Sequence, residues 1–85
     1  MKLSSLPNIG EELERQLNEV GIYHVEQLKT IGSKEAWLKI QKMDSSACIN
    51  RLMALEGAIQ NIKKVDLPDA IKQDLKAFYQ QHKIK

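Results

Sequence analysis

Residues 6–10, Leu-Pro-Asn-Ile-Gly, are the part of this chain best suited to binding chemistry, because they favour a tight turn at the start of a helix. Pro7 fixes its own φ, Asn8 belongs to the few non-glycine types that tolerate a positive φ, and Gly10 lets the chain turn tightly. The backbone N–H groups near the helix start can then face a phosphate. Asn8, Ile9 and Gly10 are therefore predicted as a phosphate-binding or DNA-binding hairpin.

A second interpretation of the same turn is that it only joins two packed helices. Glu11 and Glu12 follow the turn directly, and their carboxylates repel a phosphate at this position. No Lys or Arg lies between Lys2 and Arg15 to offset them. Charge alone favours the scaffold interpretation, but the sequence leaves both open.

Basic residues are concentrated in the second part of the chain. Residues 1–32 contain three Lys or Arg against five Glu, a balance of −2, whereas residues 33–85 contain ten against six Asp or Glu, a balance of +4. Non-specific DNA affinity comes from positive charge that faces phosphates, so Lys63 and Lys64 are predicted as a second nucleic-acid site. The alternative is that these lysines only complement a helix C-terminus and a solvated face.

The sequence offers no pattern typical of catalysis or metal binding, so we expect neither enzyme activity nor a cofactor. His24 and His82 have no Cys or carboxylate partner at metal-ligand spacing. Cys48 is the only cysteine, and it fits a buried thiol in a reducing compartment. No apolar run approaches the roughly 20 residues of a membrane helix, and no signal-like stretch follows Met1. These features predict a cytoplasmic protein without membrane contact.

The elements that must position these residues are helices, since the apolar periodicity is helical throughout. The sequence therefore predicts an all-α fold, a compact bundle of about five helices in one domain over residues 1–85. Ser33 is predicted to cap the third helix, Ser45 or Ser46 the fourth, and Asp66 the fifth. The first two helices are predicted over about 10–20 and 25–30, the third from after Ser33 to about 42, and the fourth from after its serine cap to about 62.

The fourth helix has the cleanest apolar stripe, which includes Cys48 and ends at Ile62. It is predicted to be the longest and the central helix, with Gly57 where another helix crosses closely. The predicted core consists of Leu13, Leu17, Leu28, Trp37, Leu52, Leu55, Ile59, Leu75 and Phe78.

An ordered set of residues resembles the TfoX (Sxy) C-terminal domain family. The resemblance starts with the Leu-Pro-Asn-Ile-Gly turn, includes Leu-Met-Ala-Leu-Glu-Gly at 52–57, and extends to Phe78. The other matching residues are Leu13, Leu17, Val20, Gly21, Ile22, Val25, Leu28, Gly32, Glu35, Ala36, Leu67, Pro68, Lys72 and Leu75. The first half is also similar to the C-terminal domain of the RNA polymerase alpha subunit. Both resemblances imply an N-terminal helix-hairpin-helix element of the SAM-like type.

The family resemblance implies a bacterial module linked to transcription and DNA-uptake competence. Two-domain members resemble coactivators that work with the cyclic-AMP receptor protein at competence promoters. The residues match only the C-terminal domain of such members, so the competence role itself is not carried over. We expect a non-enzymatic accessory module that engages DNA, weakly and non-specifically, or a DNA-bound transcription protein. The alternative is a protein-interaction or homodimerisation domain in which the hairpin is only a scaffold.

Overall fold

The computed structural model describes residues 2–83, and these residues form five α-helices and two short 3-10 turns without a strand. The predicted all-α class is confirmed. The 3-10 turns are Leu3–Ser5 and Lys64–Asp66. The helices are α1 (Glu11–Glu19), α2 (Val25–Ile31), α3 (Ser33–Met43), α4 (Ile49–Gln60) and α5 (Asp69–His82).

Helix α4 lies at the centre of the bundle, where it packs against α2, α3 and α5. Its buried face consists of Leu52 and Leu55, which are fully inaccessible to solvent, and Ala54 and Ala58 beside them, whereas Cys48, Ile59 and Ile62 of the predicted stripe are only half-buried. The prediction of a central fourth helix is therefore correct. Its predicted length is wrong, since α4 has 12 residues and α5 has 14.

The start of α4 differs from the sequence prediction. The helix begins after Cys48, which is its N-cap, so neither Ser45 nor Ser46 caps it. Cys48 is half-buried outside the helical stripe, and its carbonyl oxygen accepts the indole N–H of Trp37 at 3.1 Å. Ser46 instead turns back to the carboxylate of Asp44. Trp37 and Asp44 thus determine where this loop ends and where α4 can begin.

Two other predicted caps also take different places. Ser33 is the first residue of α3, after Gly32 at φ 87°, and its hydroxyl donates to Glu56 Oε1 at 2.6 Å, which ties α3 to α4. Asp66 belongs to the second 3-10 turn, and Pro68 is the N-cap of α5. None of the helices within residues 2–83 has the length and apolar character needed to cross a bilayer.

Most of the predicted core residues are buried. Ile59 and Phe78 are the exceptions, since both are half-buried and pack on the outside of the core. The Phe78 ring meets Trp37 edge-on at 6.2 Å between centroids and stacks on His82 at 4.1 Å. The buried members are Leu13, Leu17, Leu28, Trp37, Leu52, Leu55 and Leu75.

Asp44 connects three parts of the fold through one carboxylate. It accepts the Ser46 hydroxyl at 2.5 Å, the Arg51 guanidinium at 2.9 Å and the Gln16 side-chain amide at 3.0 Å. The hydrogen bonds from Ser46 and Arg51 hold the pKa of Asp44 well below its ordinary value of 3.8. The charged form of Asp44 therefore stabilises the junction of α1, α3 and α4.

We expect this contribution to stability to depend on pH. A carboxyl group with a lowered pKa in the folded state stabilises fully above its unfolded pKa, here 3.8, and loses that contribution as the pH falls further. Asp44→Asn should lower the free energy of unfolding at neutral pH, and the difference from the parent should shrink in strong acid. Urea unfolding across this range measures it. A difference that is equally large in strong acid would show that Asp44 acts without its charge.

Candidate functional site

The predicted hairpin is fastened to the chain that follows α4. Asn8 has φ 71°, as its sequence context predicts, and its side chain points across to residues 62–64. Its Nδ2 donates to the Ile62 carbonyl oxygen at 2.9 Å, and its Oδ1 accepts the Lys64 N–H at 3.0 Å. The structure thus brings together the two predicted nucleic-acid sites, Asn8–Gly10 and Lys63–Lys64. Both polar groups of the Asn8 side chain are occupied by these hydrogen bonds within the fold.

We call these two hydrogen bonds between Asn8 and residues 62–64 the bracket. The absence of a side chain at Gly57 leaves room for it. Asn61 ends α4 in the left-handed region at φ 62°, and the Ile62 N–H bonds back to the Gly57 carbonyl, so the chain folds back over the helix. A Cβ at Gly57 would lie 2.5 Å from Asn8 Nδ2 and 2.9 Å from the Ile62 carbonyl oxygen. The predicted close approach exists, but the approaching groups are a side chain and a loop instead of a helix.

Other features of the turn oppose its use as a phosphate site. Ile9 is buried, and the segment before the turn is a single 3-10 turn, Leu3–Ser5, instead of an α-helix. Glu12 forms an ion pair with Arg15, but Glu11 beside it is exposed at the helix start and forms no ion pair within residues 2–83. Negative charge is therefore built into the end of α1 that a phosphate would have to approach.

Gly10 does not have the role that the sequence suggested. It is the exposed N-cap of α1 at φ −93°, a conformation open to any residue, and a Cβ there would meet no atom within 4 Å. The unusual backbone geometry of the turn is at Asn8 alone. A side chain at position 10 should therefore be tolerated, and it would cover the N–H groups at the start of α1.

Three lysines of the second half line a shallow groove between α4, the second 3-10 turn and α5. We call it the lysine groove; it has a volume of about 340 Å³, and its lining residues include Asn50 but no carboxylate. Lys63 is exposed next to it. The groove is lined by three lysines and three apolar residues, Lys64, Lys72, Lys76, Ile49, Met53 and Val65.

A smaller groove of about 270 Å³ runs from the hairpin to the same place. Its lining residues include Asn8, Gly10 and Glu12 together with Arg51 and Lys64. Arg51 already pairs with Asp44 at 2.9 Å, so its charge is partly neutralised. The positive field of this surface therefore comes from the lysine groove rather than from the hairpin.

The apolar part of the lysine groove was not predicted from the sequence. Ile49 and Met53 are four residues apart on α4, on a different face from the buried stripe. That spacing was the available signal, but it is weak because two residues do not define a face. Val65 lies in a 3-10 turn that no periodicity marks.

The remaining titratable candidates are dispersed. The N–H of His24 donates to Gln27 Oε1 at 3.0 Å, and His82 Nδ1 lies 2.9 Å from the Phe78 carbonyl oxygen. Within residues 2–83, no three His, Cys, Asp or Glu side chains are grouped so that they could hold a metal ion. In the described part of the chain, His24 and His82 therefore make hydrogen bonds at helix ends.

Comparison with known proteins gives the family. Residues 1–79 match the family model for the TfoX C-terminal domain. Protein Sxy of Escherichia coli K12 is 40% identical over 74 residues, which are 87% of this chain and 35% of that protein. The DNA transformation protein TfoX of Haemophilus influenzae is 35% identical over 74 residues, which are 87% of this chain and 34% of that protein. The chain thus spans about a third of the length of these relatives.

Solved structures agree with this assignment. The triclinic crystal form of an uncharacterized Listeria monocytogenes protein superposes with a TM-score of 0.94 at 46% identity and covers 100% of both chains. A tetragonal form of a Listeria monocytogenes protein of unknown function gives a TM-score of 0.90 at 50% identity, covering 92% of this chain and 96% of that one. Fold and sequence agree along nearly the whole length. The predicted family is therefore confirmed, and the chain belongs to the TfoX C-terminal domain family.

Proposed function

We propose that this chain is a non-enzymatic, cytoplasmic regulatory module that engages DNA or a DNA-bound transcription protein through the basic surface at Lys63 and Lys64 in its second half. Its relative TfoX is named as a DNA transformation protein. The single observation that supports the basic half over the hairpin is the use of Asn8. Both polar groups of that side chain hold residues 62–64 in place, while Lys63 beside them stays exposed.

The charge distribution supports the same surface. Three lysines line one groove without a carboxylate among its lining residues, whereas Glu11 and Glu12 flank the hairpin. Positive charge that is not neutralised by the protein is what phosphates or acidic side chains can pair with. The hairpin is then a scaffold that orients the basic surface.

A second candidate function is protein interaction or homodimerisation alone. The observation that favours it is apolar: Val65 is 67% exposed beside Met53 and the groove lysines. An exposed apolar side chain between cations contributes little to phosphate binding but contributes directly to a protein interface. DNA and protein binding differ in their salt dependence, which separates the two candidates.

We expect the double variant Lys63→Glu, Lys64→Glu to weaken binding to a short DNA duplex irrespective of its sequence. Removal of two phosphate contacts should flatten the plot of log affinity against log salt by about two units of slope. Fluorescence anisotropy between about 50 and 200 mM salt measures this slope.

The matched control is Lys39→Glu, Lys42→Glu, which makes the same change in net charge on α3. This control should keep most of the affinity and slope of the parent. Equal weakening by both variants would mean that total charge, and not the surface at Lys63 and Lys64, governs binding. If the parent does not bind the duplex at low salt, where the electrostatic attraction is strongest, the second candidate replaces the first.

A further inference from the structure

We propose that the lysine groove is a docking site for an acidic amphipathic α-helix of a protein partner. This inference rests on the proposed function only in taking the basic half as the binding half. The partner segment would place an apolar face on Ile49, Met53 and Val65, and its flanking Asp or Glu side chains would meet Lys64 and Lys76. Helix-in-groove recognition uses apolar anchors at spacings of three and four residues, with charged flanks.

The segment of the groove that contains Val65 is held in place by hydrogen bonds within the chain. The Lys64 N–H bonds to Asn8 Oδ1 at 3.0 Å, and the Val65 carbonyl oxygen accepts the Lys72 ammonium at 2.9 Å. Val65 is nevertheless 67% exposed, more than any other large apolar side chain in residues 2–83. An apolar group held out into solvent by its own backbone contacts can be buried by a partner at little ordering cost.

The charges of the groove favour an acidic partner. Some cations of the described residues pair within the chain, as in Lys34 with Asp74 at 2.6 Å and Arg51 with Asp44 at 2.9 Å. Within residues 2–83, no ion pair forms at Lys64, Lys72 or Lys76. Lys64 and Lys76 can therefore pair with carboxylates of a partner without breaking an internal ion pair, while Lys72 already bonds to the Val65 carbonyl oxygen.

The apolar residues distinguish a protein helix from the other occupants. The phosphate backbone of duplex DNA can pair with the lysines but gains nothing from contact with Met53 and Val65. A second copy of this chain would have to offer its own acidic helix, α1. The apolar residues Leu13 and Leu17 of that helix are already buried in the core, so α1 has no free apolar face to place in the groove.

The test uses a synthetic helical peptide with leucines on one face and glutamates on both flanks, labelled for fluorescence anisotropy. A peptide of the same composition with scrambled order controls for charge alone. Two variants probe the groove: Val65→Ser changes its apolar part, and Lys76→Glu changes its charge at an exposed position. Lys42→Glu on α3 is the charge-matched control. Circular dichroism confirms that each variant is folded.

We expect the amphipathic peptide to bind about tenfold more tightly than the scrambled one, Val65→Ser and Lys76→Glu each to weaken binding several-fold, and Lys42→Glu to have little effect. Equal binding of both peptides, no peptide binding, or no effect of Val65→Ser would overturn the proposal. Two further outcomes would overturn it. One is that the parent forms a dimer and Val65→Ser dissociates that dimer. The other is that duplex DNA displaces the peptide and binds the Val65→Ser variant as tightly as the parent. None of these outcomes alters the duplex-binding result at Lys63 and Lys64, so failure here is distinct from failure of the proposed function.

Discussion

Leu55→Ala is expected to lower the free energy of unfolding by about 2–5 kcal/mol. Leu55 is fully buried in the middle of α4, the helix that contacts α2, α3 and α5. Truncation removes buried methyl groups and leaves a cavity that several packed helices cannot easily close. Since a chain of this size is stable by about 4–12 kcal/mol in total, the loss is a large fraction of what holds the fold.

Urea unfolding followed by the helical circular dichroism signal measures this loss. Gln60→Ala on the exposed end of α4 is the control, and it should change stability by only a few tenths of a kcal/mol. A loss below about 1 kcal/mol at Leu55 would contradict its position at the centre of the core.

Gly57→Ala is expected to destabilise the protein by about 1–3 kcal/mol, although alanine normally favours a helix over glycine by about 1 kcal/mol. The new Cβ would lie 2.5 Å from Asn8 Nδ2 and 2.9 Å from the Ile62 carbonyl oxygen. Both groups are held by their mutual hydrogen bond, so neither can move without loss of the bracket between the hairpin and residues 62–64. The same unfolding experiment gives the sign, and a more stable variant would disprove the contact.

A double-mutant cycle with Asn8→Gly tests the cause of that loss. Glycine accepts the positive φ of position 8 and removes the side chain that the new Cβ would meet. In the Asn8→Gly background, Gly57→Ala should therefore cost clearly less than in the parent. An unchanged cost would mean that the strain arises at Ile62 alone.

The sequence predicted the parts of the fold that depend on local periodicity. The stripe around Leu52 and Leu55 indicated a buried helix, and the apolar periodicity of the third and fifth helices placed Trp37 and Leu75 in the core. The turn at Asn8 was also predictable, because few residue types tolerate its positive φ. Each of these inferences uses residues that are neighbours in sequence or on one helical face.

What the sequence could not predict depends on pairs that are distant in the chain. Asn8 and Lys64 are 56 residues apart, and the hydrogen bond between them shows that the hairpin holds residues 62–64 in place. The Trp37 indole positions Cys48 by a hydrogen bond to its backbone carbonyl oxygen. Because every residue type has that carbonyl, the contact cannot be predicted from residue types. The lysine groove needs α4, a 3-10 turn and α5 to converge, so its mixture of apolar and basic residues is visible only in three dimensions.

The most direct test of the central claim compares Gly10→Val with Lys63→Glu, Lys64→Glu in duplex binding at low salt. Gly10→Val should stay folded because a Cβ at position 10 would meet no atom of residues 2–83 within 4 Å, and we expect the valine side chain to cover the N–H groups at the start of α1. If the basic half is the binding surface, Gly10→Val binds the duplex like the parent and the double lysine variant binds it much more weakly. A folded Gly10→Val that no longer binds, beside a lysine variant that binds normally, would show that the hairpin is the binding site.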